Sequence, residues 1–171
     1  MDSHLQASAG NPAQPLTART DLRVLGYLGR ALSMELSAVQ LYATQARLVS
    51  TWGLTEPAER LRKEADEEMG HADRIIARML GHGAAPNASS LRPVKLGRDL
   101  RELLLHDQLF ENELVQLYSD AVQHCARAGL HDDKMFFQGL LEEEQHHARE
   151  LGEWLNELGW VEPSNPRGRW R

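Results

Sequence analysis

The chain has 171 residues, a formal net charge of −6 and a single cysteine, Cys125. This length suits one domain with a sizeable core, and one cysteine excludes an internal disulfide and any metal site built from four cysteines. The negative charge argues against general affinity for nucleic acid, and no apolar run is long enough to span a bilayer. We therefore expect neither nucleic-acid nor membrane partners, and the lack of an export signal makes the cytoplasm the expected location.

Helical spacing of the apolar residues predicts an all-α protein. Residues 1–19 mix Ala, Ser, Gln, Asn and Pro and are predicted to form a flexible extension, and residues 160–171, with three breaks at Pro163, Pro166 and Gly168, an irregular tail. The domain between them, residues 20–159, should contain four helices, with Thr20 and Asp132 as N-caps of the first and last. These helices are predicted over residues 21–50, 55–80, 98–128 and 132–158. The Gly-, Pro- and Ser-rich stretch 81–97 predicts a long connection between the two halves.

Each predicted helix has one glutamate on its otherwise apolar face. These glutamates are Glu35, Glu68, Glu111 and Glu144. The second half repeats the first at a constant offset, because each half has a lone glutamate followed at the same spacing by Glu-x-x-His, which ends at His71 or His147. Two helix pairs joined by one long connection predict a ferritin-like four-helix bundle whose halves are related by a two-fold axis.

Four carboxylates inside a bundle would each cost several kcal/mol if left ionised and unpaired. Two divalent cations would balance their charge, and neutral imidazoles would complete the ligand shells. Iron or manganese suits these oxygen and nitrogen ligands, and zinc is compatible with them. We therefore predict a dinuclear metal site in the core. Its ligands are Glu35, Glu68, His71, Glu111, Glu144 and His147.

Several neighbouring residues have to be weighed against this ligand set. Glu143-x-x-His146 also has the spacing of a metal pair, but the repeat offset and the apolar face favour Glu144 and His147. A set of five residues is assigned to the surface or to positions around the ligands. These are Glu143, His146, His106, His124 and His131. Tyr42 and Tyr118 each lie seven residues after a lone glutamate, where they either pack in the core with a hydrogen-bonded hydroxyl or act in redox chemistry beside the metals.

Over residues 21–158 the sequence resembles bacterioferritin. The likeness lies in Trp52-Gly53-Leu54, in Glu68-Met69-Gly70-His71-Ala72-Asp73-Arg74, in Pro86-Asn87 and in Glu144-x-x-His147. The resemblance implies that the six ligands form a ferroxidase centre, where two Fe(II) react with dioxygen or peroxide and ferric mineral collects inside a protein shell. It also implies that Met69 residues from two subunits, related by a two-fold axis, ligate one haem b iron.

Three features depart from the family pattern. The Pro-containing tail replaces the short fifth helix through which subunits meet, so the resemblance leaves the 24-subunit cage open. Lys63 stands where many members have an inner-surface histidine that relays iron, and the N-terminal extension is additional. We expect a ferroxidase for iron storage and detoxification, built as a homo-oligomer of two-fold dimers. The alternatives are a haem-binding dimeric electron-transfer or interaction module, and a di-iron oxidase or peroxidase without a cage.

Overall fold

The computed structural model describes residues 21–86 and 89–159. Every regular element within these ranges is an α-helix, which confirms the all-α prediction. The four helices are α1 (Leu22–Thr51), α2 (Thr55–Gly81), α3 (Leu100–Ala128) and α4 (His131–Gly159). None of them has a stretch both long and apolar enough to cross a membrane. The predicted extension over residues 1–19 and the predicted tail over residues 160–171 lie outside the described residues.

Three predicted helix starts were wrong by one or two residues. Asp21, not Thr20, caps α1, because its carboxylate accepts hydrogen bonds from the amides of Arg23 at 2.7 Å and Val24 at 3.3 Å. Asp99 caps α3, which therefore begins at 100 rather than 98. Helix α4 begins at 131, so Asp132 lies in its first turn, where a carboxylate interacts favourably with the helix dipole.

The helices form two antiparallel hairpins, α1 with α2 and α3 with α4, joined by the long connection. The connection lies along α1, where the backbone amides of Ser90 and Arg92 donate to the hydroxyls of Ser33 and Ser37 at 3.1 Å and 3.0 Å. Two apolar clusters fill the two ends of the bundle. One includes Val24, Leu28, Ile75, Leu114 and Phe137, and the other Val49, Leu61, Leu103, Leu104 and Leu151. The layer between these clusters is polar, and it contains the candidate site.

Candidate metal centre

All six predicted ligands lie inside the bundle. The four glutamates are fully buried, one on each helix, and the two histidines are almost completely buried. Helical geometry explains the pairing on α2 and α4, since residues three apart project from the same side of a helix. The sequence repeat therefore corresponds to a spatial repeat, with two similar half-sites facing each other across the core.

The six side chains form two overlapping groups whose ligand atoms lie within 4.8 Å of one another. One group contains Glu35, Glu68, His71 and Glu144, and the other contains Glu68, Glu111, Glu144 and His147. Glu68 and Glu144 belong to both groups. Two adjacent cations could therefore share these two carboxylates, while each cation would have one further glutamate and one histidine of its own. This arrangement can hold a dinuclear metal site.

The inward-facing atoms of these side chains lack hydrogen-bond partners. His71 Nδ1 lies 2.7 Å from Glu144 Oε1, but without the geometry of a hydrogen bond. Eight such atoms are orphaned: Glu35 Oε2, both carboxylate oxygens of Glu68 and of Glu144, Glu111 Oε2, and Nδ1 of His71 and His147. Buried polar groups are nearly always satisfied, and a cluster of orphaned oxygen and nitrogen acceptors is what two cations would satisfy. The donor set therefore fits the predicted metal pair.

Tyrosines hold Glu35 and Glu111, the two glutamates that each belong to only one ligand group. The hydroxyl of Tyr118 on α3 donates to Glu35 Oε1 on α1, and the hydroxyl of Tyr42 on α1 donates to Glu111 Oε1 on α3. Each bond crosses between the two halves of the repeat and occupies one carboxylate oxygen. Glu35 and Glu111 therefore each keep one free oxygen, whereas Glu68 and Glu144 keep two.

A carboxylate on the outer side orients His71. Glu143 Oε2 lies 3.0 Å from His71 Nε2, and Arg74 holds Glu143 through two hydrogen bonds of 3.0 Å and 2.5 Å. A carboxylate facing Nε2 keeps the proton on that nitrogen and leaves Nδ1 free for a metal. Glu143 thus lies next to a predicted ligand, one of the two kinds of position expected for it.

His147 has a corresponding partner that the sequence reasoning missed. Glu67 Oε2 lies 3.3 Å from His147 Nε2, and Lys63 contacts the other oxygen of Glu67 at 2.8 Å. Glu67 occupies the position in the first half that Glu143 occupies in the second, so the repeat offset is the signal that could have found it. Lys63 is itself largely exposed. The position at which the family resemblance expected an inner-surface histidine therefore holds a cation that pairs with Glu67.

The buried groups act strongly on one another's protonation. Burial, together with the charges of nearby carboxylates, raises the pKa of Glu35 and of Glu111 well above the ordinary value. Burial acts to lower the pKa of His147, but the adjacent carboxylates of Glu144 and Glu68 outweigh it and raise this pKa to about 11. Because cations bind only where these protons are released, metal affinity should rise with pH.

The remaining predicted residues lie apart from the two ligand groups. Met69 is on the outer side of α2 with 49% of its surface exposed, in accordance with its position one residue after a core-facing ligand. His124 contacts Asp21 at 3.2 Å, and His146 contacts Glu150 at 3.5 Å. Neither histidine belongs to a candidate metal group, and the same holds for His106 and His131.

Comparison with known proteins places the chain in a family. Residues 25–159 match the sequence model of the Ferritin-like domain. The bacterioferritin of Rhodobacter capsulatus is 39% identical over 127 residues, which cover 74% of this chain and 79% of that protein. The chain belongs to the bacterioferritin family. Bacterioferritins are iron-storage proteins of the ferritin-like superfamily, so the family named by the sequence resemblance is confirmed.

Other relatives agree with this assignment. The bacterioferritin of Brucella melitensis is 34% identical over 125 residues, 73% of this chain and 78% of that protein. A bacterial ferritin from Synechocystis is 28% identical over 141 residues, 81% of this chain and 88% of that protein. The similarity to bacterioferritins and to a bacterial ferritin therefore covers about three quarters or more of the chain.

A solved bacterioferritin structure confirms the ferritin-like bundle. The structure of Rhodobacter capsulatus bacterioferritin matches with a TM-score of 0.78 and 37% identity, covering 81% of this chain and 87% of that one. That protein is described as having a metal-free dinuclear site and a haem iron in a crystallographic special position. The family thus includes a member with both kinds of centre.

Proposed function

We propose that this chain is a ferroxidase that oxidises Fe(II) at the buried dinuclear centre, with dioxygen or peroxide as oxidant, and stores or detoxifies the ferric product. The observation that carries the proposal is the set of eight orphaned ligand atoms, contributed by six buried side chains in two groups that share Glu68 and Glu144. Two Fe(II) ions would neutralise the four carboxylates. Manganese and zinc could bind the same ligands, but zinc has no redox chemistry and could not be oxidised there.

The carboxylates of the centre would bind the substrate iron in two different ways. Glu68 and Glu144 have two free oxygens each and would bridge the ions, whereas Glu35 and Glu111 would each offer one oxygen to one ion. When bound, the iron pair supplies one electron per Fe(II) to the oxidant. The tyrosine hydroxyls fix Glu35 and Glu111 from behind, which leaves their free oxygens aimed into the centre.

The proposal is tested by adding Fe(II) anaerobically and then mixing with oxygen. We expect a saturable fast phase of about two irons per chain, one for each ligand group. Glu68→Ala removes a shared ligand and should abolish this phase. Glu59→Ala, a change at an exposed glutamate on the same helix, should leave it intact. A fast phase that survives Glu68→Ala would contradict the proposal.

Haem binding is a second candidate function, and it would make the protein a dimer. Met69 is half exposed on the outer side of α2, and the Rhodobacter capsulatus relative is described with a haem iron in a crystallographic special position. We propose that Met69 residues of two subunits ligate one haem b iron. Met69→Leu should abolish the haem absorbance of the reconstituted protein, whereas Met135→Leu, at a methionine 51% exposed on α4, should not. Haem absorbance that persists without Met69 would exclude it as the ligand.

Assembly size separates storage from oxidation alone. Mineral storage requires a closed shell such as a 24-subunit cage built from two-fold dimers, whereas a dimer has no cavity. Native mass, with iron and haem counted on the same sample, should therefore show a large homo-oligomer if the protein stores iron. A mass of two chains together with fast Fe(II) oxidation would instead identify a di-iron oxidase or peroxidase without a cage.

A further inference from the structure

A buried polar pair lies in the core outside the six candidate ligands. Gln45 Nε2 on α1 donates a hydrogen bond of 2.7 Å to Asp107 Oδ1 on α3, and both residues are fully buried. The other side-chain oxygens of the pair, Gln45 Oε1 and Asp107 Oδ2, have no hydrogen-bond partner. An apolar pair at these positions would cost less, because a buried unsatisfied acceptor destabilises a protein by roughly 1–3 kcal/mol. Packing alone therefore does not explain why two polar residues occupy these core positions.

The pair lies one helical turn from the dinuclear centre. Gln45 follows Tyr42 by three residues and Asp107 precedes Glu111 by four, so the two bonds between α1 and α3 are successive rungs on the same faces. On the third neighbouring helix, α2, Glu64 is 7% exposed and close enough for its charge to act on Asp107. Asp107 thus lies within electrostatic reach of Tyr42 beside the centre and of Glu64 on α2.

The other half of the bundle has no such polar side chains at the matching positions. The offset of the sequence repeat relates Gln45 to Ala121, Asp107 to Ala31 and Glu64 to Leu140. All three counterparts are buried apolar residues. The ligands and the tyrosines are repeated in both halves, whereas each of these three positions is polar and its counterpart is apolar. The polar side chains therefore lie at only one of two otherwise equivalent places beside the centre.

Asp107 is able to change protonation state near neutral pH. Burial raises its pKa to about 7, the hydrogen bond from Gln45 opposes this shift, and the charge of Glu64 adds to it. The charge of Asp107 acts on Tyr42 of α1, the charge of Glu64 on α2 acts on Asp107, and Glu111 lies one turn further along α3. The α4 side chains packed at this end of the bundle are Leu151, Trp154 and Leu155. Oδ2 is the atom available to carry the proton, since Oδ1 accepts from Gln45.

We propose that Asp107, held in place by Gln45, relays protons between the dinuclear centre and the Glu64 side of the bundle when metal ions bind. A proton displaced from a ligand by a cation forms an O–H bond at Asp107 Oδ2, and that bond breaks as the proton passes toward Glu64 and solvent. The proton number is conserved and no electron is transferred. This inference rests on the proposed metal binding at the centre, but not on iron oxidation.

Proton release on binding of Co(II) tests the relay without any redox chemistry. Stopped-flow mixing with a pH indicator follows proton release, and Co(II) absorbance on the same sample follows metal binding. Asp107→Asn should slow proton release by about a hundredfold, the lower end of the range for general acid–base effects, while two Co(II) still bind per chain. Asp133→Asn, the loss of a different buried aspartate, should release protons at the rate of the unaltered protein.

Two further measurements keep the relay distinct from a packing role. Glu64→Gln, at the residue toward which the proton passes, should also slow proton release, and it should do so without loss of Co(II). Infrared spectra of the metal-free protein should contain a carboxylic acid band that titrates near pH 7 and is missing in Asp107→Asn. Unchanged release rates in both folded variants would overturn the relay. Binding of two Co(II) without oxidation of Fe(II) would instead contradict the ferroxidase and leave the relay standing.

Discussion

Tyr118 on α3 donates its hydroxyl hydrogen to Glu35 on α1, so each half of the internal repeat holds a glutamate of the other half. The reciprocal bond runs from Tyr42 to Glu111. Both hydrogen bonds are buried, and they join helices that belong to different hairpins. The two hairpins are therefore fastened to each other at the polar layer, next to the candidate metal ligands.

Removing one of these hydroxyls should destabilise the metal-free protein. Tyr118→Phe leaves Glu35 with a further unsatisfied buried oxygen, at a cost of roughly 1–3 kcal/mol in the free energy of unfolding. Chemical denaturation of the metal-free protein measures this cost. Tyr27→Phe is the matched control, because the contacts described for Tyr27 are made by its ring, with His124, Phe137 and Arg30. Equal effects of the two changes would show that the Tyr118 hydroxyl contributes nothing special.

The outer carboxylate beside His71 should matter for metal affinity. Glu143→Gln removes the charge that holds the Nε2 proton of His71 and is itself held by Arg74. Loss of such an outer partner typically lowers metal affinity by about 10- to 100-fold. Competition titration with Zn(II) measures the change, with Glu153→Gln, at an exposed glutamate of the same helix, as control. Unaltered affinity would mean that His71 is oriented by other contacts.

Asp107 should make the stability of the metal-free protein depend on pH. Its pKa is raised from 3.8 to about 7 in the folded chain, so folding favours the protonated form. The stability that this carboxyl group contributes is therefore fully present below pH 3.8 and is lost as pH rises through about 7. Asp107→Asn should remove this loss, and the variant should gain stability over the unaltered protein as pH rises. Unfolding curves should be measured at pH 5 and at pH 8, on either side of the pKa of about 7. If the two proteins differed in free energy of unfolding by the same amount at both pH values, the assignment would be contradicted.

The fold and the composition of the site could be predicted because both depend on local patterns in the sequence. Helical periodicity defines four amphipathic segments, and a glutamate on an apolar face is visible without coordinates. The repeat then separates Glu144 from its neighbour Glu143. The structure brings the six residues together as expected, and their role as ligands stays a prediction.

What the sequence could not show depends on which side chains meet between helices. The bond between Gln45 and Asp107 joins residues 62 positions apart, and no spacing rule pairs an α1 amide with an α3 carboxylate. The hydrogen bonds from Tyr42 to Glu111 and from Tyr118 to Glu35 could not be predicted for the same reason. The cap of α1 is a different case, because Thr20 and Asp21 are both good caps and only the backbone conformation selects Asp21.

The proposed function requires that Fe(II) be oxidised at the centre to which both Glu68 and Glu144 contribute. The most direct test is to load the metal-free protein with two Zn(II) per chain before adding Fe(II) and oxygen. Zn(II) takes the same oxygen and nitrogen ligands but has no redox chemistry. We expect the fast oxidation phase to disappear as the second Zn(II) binds. A fast phase of undiminished amplitude with both zinc ions bound would contradict oxidation at this centre.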